Sequence, residues 1–142
     1  MVQRVSISVL WIVALFYAYG ALVHIMNMFS LTGINWTEAP LKWQALDIFY
    51  LIMDLIVAVG FILAWKVSYI VFYIAATSQI VLYTVFRDWI IEVPKQFEVS
   101  TEQISYLDTL VMFHVVTLIC VSIVLWVTHN RGLQRTWITP GR

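Results

Sequence analysis

Charge is what this sequence most lacks. Only 11% of its 142 residues are Asp, Glu, Lys or Arg, against 62% that are hydrophobic. Soluble domains carry about 25% charged and about 45–50% apolar residues, so there are too few charges here to coat a globule in water. Eight basic and eight acidic residues cancel, which removes any case for a basic surface that would grip nucleic acid. The single cysteine, Cys120, excludes an intrachain disulfide framework and any Cys-based zinc or iron–sulfur centre within one chain. Motifs of soluble catalysis are missing too: there is no P-loop, dinucleotide fingerprint, G-x-S-x-G, HExxH or CxxCH. No internal repeat or low-complexity tract divides the chain. The composition implies one polytopic membrane domain.

Four apolar runs approach or exceed the roughly 20 residues that a helix needs to cross a ~30 Å hydrocarbon core. They fall at about Val5–Met28, Leu41–Ala64, Val67–Phe86 and Ile104–Thr128. The runs are continuous rather than alternating, which indicates helices and not the strands of a barrel. The first follows Arg4 and contains Ala18 and Gly20, as a secretory leader would, but it is long for one and is expected as a retained helix. Trp65-Lys66 is nearly the whole link between the second and third spans, so these should form an antiparallel hairpin. Phe29–Pro40 and Arg87–Gln103 are longer links expected on the opposite side, packed together as a cap. Pro40 suits a first helical turn, and Ser100-Thr101-Glu102-Gln103 reads as a capping box. The expected fold is an all-α, antiparallel four-transmembrane-helix bundle with short termini and two longer loops on one side.

Basic residues orient such a bundle. Arg4, Lys66, Arg131, Arg135 and Arg142 share one side, and Lys42, Arg87 and Lys95 the other. The excess places both termini in the cytoplasm, with a bacterial inner membrane as the expected location. Trp36, Trp43 and Trp89 would belt the outer boundary, and Trp65 and Trp126 the inner one.

Chemistry should reside in the side chains that are expensive to place in lipid. An ionised Asp at a helix centre costs at least ~2.5–3.5 kcal/mol, so such groups turn towards a bundle interior or a cavity. Counting the helical rise inward, His24, Asp47, Asp108 and Arg87 lie within roughly 8 Å of the outer boundary, one per helix. Tyr17, Asp54, Gln79 and His114 form a second layer at roughly 12–18 Å. Tyr17 and His24 share a helical face, as do Asp47 and Asp54 at the same seven-residue spacing. Asp54 and His114 are expected to pair near mid-membrane, directly or through water, with Gln79 and Tyr17 completing a polar shell. Arg87 should neutralise Asp47 or Asp108. Ala14, Ala18 and Ala21 form a small-residue strip suited to close helix packing.

Several functions fit these residues. An accessory subunit of a larger membrane complex suits the small size and the lack of a soluble domain. An independent oligomeric transporter or channel protomer would use Asp54 and His114 for proton or cation coupling. The size and four-span layout resemble the DoxX-like group, which implies thiol or quinone redox chemistry as a third reading. That resemblance is one of layout and not of motif residues, and Cys120 lies deep in the fourth span, away from any dithiol partner. Among cofactors, haem could use His24 and His114, although their depths differ by roughly 9 Å. A quinone could use the Tyr, Trp and His residues near one interface. His24, Asp47 and Asp108 have the ligand types for zinc, iron or manganese. Expected partners are membrane lipid and other membrane subunits or further copies of the chain, with no nucleic acid.

Overall fold

The computed structural model describes residues 2–130. Arg131, Arg135 and Arg142, which weigh in the orientation, lie outside the described residues, as does the side chain of Arg4. Among these described residues five α-helices follow in order: α1 (Val2–Met28), α2 (Leu41–Ile62), α3 (Lys66–Thr84), the short α4 (Arg87–Ile91) and α5 (Thr101–Asn130). Two single 3-10 turns, Trp36–Glu38 and Lys95–Phe97, lie in the two longer connections, and no strand occurs among the described residues. Among the described residues four helices, α1, α2, α3 and α5, are long and apolar enough to cross a membrane.

Local chemistry explains where the long helices begin and end. At α5 the capping box forms: Ser100 N–H donates to Gln103 Oε1 at 2.8 Å, and Gln103 N–H donates to Ser100 Oγ at 3.2 Å. The helix therefore opens at Thr101, three residues before its apolar run. Pro40 sits just outside α2 and its carbonyl accepts from the Trp43 and Gln44 N–H groups. Both α1 and α2 close with a left-handed residue that is not glycine, Ser30 (φ 57°) and Ala64 (φ 54°). In each case the next N–H reaches back five residues, Leu31 to Met26 O and Trp65 to Gly60 O, as the Schellman motif requires. A left-handed residue with a Cβ carries a strain of roughly 1–2 kcal/mol that glycine lacks. Ala64→Gly is accordingly expected to raise stability by about 1 kcal/mol, read as a later unfolding midpoint in a denaturing-detergent titration.

Packing is dense at one end of the bundle and open at the other. The core combines Val13 and Ala14 of α1, Val57 and Phe61 of α2, Phe72 and Ala76 of α3, and Val121 and Val124 of α5. Apart from Ala76 at the middle of α3, these lie in the half away from the long connections. Ala14 in this half and Ala21 nearer the long connections are both buried and allow close approach of α1, whereas Ala18 faces outward and takes no part in the expected strip. At the α2–α3 hairpin Gly60 leaves room for Ser68, which is fully buried and donates to Trp65 O. The outer faces keep large apolar side chains exposed, among them Leu15, Ile70 and Met112 at more than 60%. An apolar exterior of this extent is what lipid contact requires.

Candidate functional site

Near the long connections the four helices part around a cavity of about 500 Å³. Its walls come from α1 (Phe16, Gly20, Val23), α2 (Leu46, Tyr50), α3 (Tyr83) and α5 (Leu110, Phe113). Both connections supply its roof, Trp36 and Ala39 from the first, and Ile90, Ile91 and Val99 from the second. The first turn of α2 anchors both. Lys42 Nζ donates to the carbonyls of Trp89 and Glu92 and lies over the Trp89 ring, and Trp43 Nε1 donates to Ile90 O at 3.0 Å. Gln44 Nε2 donates to Ala39 O at 2.8 Å. The roof is therefore tied down by Lys42, Trp43 and Gln44 rather than by Arg87.

Asp47 organises the upper part of the cavity. Its Oδ1 accepts from His24 Nδ1 at 2.8 Å and from Asn27 Nδ2 at 3.0 Å, and its Oδ2 accepts from Trp36 Nε1 at 3.1 Å. The His24 ring stacks on Tyr50, with centroids 6.2 Å apart and planes at 22°. Tyr50 in turn donates to Ser78 Oγ at 3.2 Å. With Nδ1 held by Asp47, His24 turns Nε2 towards Asp54 Oδ2, 3.8 Å away. This is charge proximity but beyond hydrogen-bond range. One imidazole thus stands between two carboxylates.

The floor is made of Tyr17, Asp54, Gln79 and His114, all buried and all facing the cavity. His114 Nε2 donates to Gln79 Oε1 at 2.5 Å, so the direct Asp54–His114 pair expected from sequence is not formed. Asp54 has His24 as its near neighbour instead, and the two floor groups are left facing the same space. Tyr17 packs edge-on against both Phe72 and His114. Three fully buried floor atoms have no hydrogen-bond partner among the described residues: Tyr17 OH, Asp54 Oδ1 and His114 Nδ1. Gly20 completes the floor, because a Cβ there would collide with Asp54 Oδ2. Only glycine at that position lets the carboxylate lie against the α1 backbone.

Asp108 departs from the expected layer. Its side chain is 61% exposed and pairs with Arg87, outside the cavity, while the Arg87 Nε–H donates to Tyr83 O at 2.9 Å. An ion pair this open to its surroundings contributes at most about 1 kcal/mol. The six-residue spacing from His114 explains the result: about 120° of helical turn separates the two, so α5 cannot aim both inward. With Asp108 gone from the His24–Asp47 cluster, the expected three-ligand metal set is not assembled. Among the described residues no group of three His, Cys, Asp or Glu side chains could hold a metal ion. Sequence reasoning missed Gly20, Asn27 and Trp36 as members of the site. An Asn one turn from a span-end His was the available signal for Asn27.

Set against known proteins, the chain matches no family model, no curated protein and no solved structure.

Proposed function

We propose that this is a small integral membrane protein that holds one lipophilic molecule inside its helical bundle. The observation that carries the reading is a cavity of about 500 Å³, apolar along its walls, with three buried polar atoms lacking partners on its floor. Small-molecule sites have this character: volumes of roughly 300–1,000 Å³, apolar walls and a few convergent polar groups. A buried polar group without a partner costs about 1–3 kcal/mol. Three of them on one surface are best understood as waiting for a polar head, with Tyr17, Asp54 and His114 as its partners.

The proposal includes an antiparallel arrangement in the bilayer. As residue numbers rise along one helix they fall along its neighbour: Gly20 meets Asp54 where His24 meets Asp47, and Gln79 meets His114 where Tyr73 meets Ser122. A bacterial inner membrane with cytoplasmic termini remains the proposed setting on the basic-residue excess. Membrane lipid is the partner this reading requires. It works within one chain, so neither a larger complex nor a second copy is needed to complete the site.

Mass spectrometry of an organic extract of the protein, purified in mild detergent, tests the reading. One lipophile is expected in near one-to-one amount, and it should be lost from Val23→Trp, which fills the cavity from α1. Extracts that do not differ between the two proteins would refute it.

A further inference from the structure

Resting on that reading, we infer that the head of the bound molecule is an amine, and that the occupant is a single-chain or compact amphiphilic amine rather than a quinone, a fatty acid or a phospholipid. The argument begins from charge. Asp47 and Asp54 both line the cavity, and among the described residues no lysine or arginine does. Arg87 is taken up by Asp108, and Lys42 by the carbonyls of the second connection. His24 lies between the two carboxylates, and its hydrogen bond goes to Asp47. Asp54 is left with its side chain 95% buried and one fully buried oxygen that has no hydrogen-bond partner.

Donor and acceptor roles point the same way. Because His114 gives its Nε2 proton to Gln79 Oε1, its Nδ1 presents a lone pair in the neutral imidazole. The fully buried unpartnered atoms of the floor are therefore two acceptors, Asp54 Oδ1 and His114 Nδ1, beside one hydroxyl that can serve either way, Tyr17 OH. A quinone carbonyl or a carboxylate brings only acceptors and would leave both floor acceptors unmatched. An ammonium group brings up to three N–H donors and a fixed positive charge, which no residue lining the cavity supplies to Asp54. Tyr17, Tyr50, Tyr83 and Phe113 also line the cavity, and aromatic faces attract cations within about 6 Å. A phospholipid amine is disfavoured because its phosphate would enter a space without lysine or arginine.

Native mass spectrometry of the detergent-solubilised protein, titrated in turn with dodecylamine, dodecanol, dodecanoate, decylubiquinone and lysophosphatidylethanolamine, tests the assignment. Dodecylamine is expected to give a one-to-one adduct at the lowest concentration. Asp54→Asn should weaken it by about ten-fold or more, the usual worth of a charge-assisted bond, and leave dodecanol unchanged. Gly20→Ala, which keeps the charge but displaces the carboxylate, should also weaken the amine and serves if the Asn variant does not fold. Equal binding of all five probes, or amine binding indifferent to both variants, would overturn the amine assignment while leaving a lipophile cavity. Absence of any adduct would overturn the cavity reading itself.

Discussion

Asp47→Ala is expected to unfold the loop end of the bundle, at a loss of about 3 kcal/mol, the low end of the range for removing one partner of a buried ion pair, because this cluster is only partly buried. Three donors converge on this carboxylate: His24 Nδ1, Asn27 Nδ2 and Trp36 Nε1. Its side chain is 13% exposed, so water replaces little of what the substitution takes away. Each donor left without an acceptor costs about 1–3 kcal/mol, and relaxation of Trp36 into its loop would recover part of that. Asp47→Asn should lose less, about 1–2 kcal/mol, because the amide oxygen still accepts while its NH₂ faces donors. Equilibrium unfolding in mixed micelles measures the loss, and limited proteolysis of the 29–40 connection locates it. Stability unchanged in Asp47→Ala would mean that Asp47 does not hold the roof.

A second large effect is expected at the hairpin of α2 and α3. In an ordinary helix interior Gly→Ala gains about 0.8–1 kcal/mol of helix propensity. At Gly60 the sign should reverse, because a Cβ there would overlap the side chain of Ser68. Ser68 cannot yield easily: it is fully buried and its hydroxyl is bonded to Trp65 O. Overpacking of this kind costs typically 1–3 kcal/mol, so Gly60→Ala should be net destabilising and Gly60→Leu should prevent folding. Gly60→Ala combined with Ser68→Gly relieves the overlap and should recover most of the loss from Gly60→Ala. A double-mutant cycle with a coupling energy near zero would show that the two residues do not touch.

How much of this was legible in the sequence depends on which residues are considered. The four helices follow from apolar length, and the start of α5 from the Ser100 and Gln103 side chains, because a capping box is a local interaction. Membership of the deeper layer was also legible: Tyr17, Asp54, Gln79 and His114 all face one cavity. Their pairing was not. Depth counted along the backbone puts His24 well above Asp54, yet side chains lean towards the N-terminus of their own helix. On α1 that lean carries His24 down from the loop end, and on α2 it carries Asp54 up, so the two converge. The same geometry draws Gln79 and His114 together. Gly20 was invisible for a different reason, since its role is to be absent where the Asp54 carboxylate lies. Asp108 shows that one charged residue per helix need not mean one ring. With Arg87 next to it at the bundle surface, it had a partner that did not require burial.

The cavity's occupancy is the claim on which the functional account rests. A crystal structure of the protein purified from membranes with no added lipophile tests it most directly. The account predicts elongated non-protein density along the wall of Val23, Leu46 and Leu110, with its polar end within about 3.5 Å of Asp54 and the Tyr17 hydroxyl. A cavity closed by direct bonding of Asp54 to His114, or holding only ordered water bonded to the three floor atoms, would contradict it.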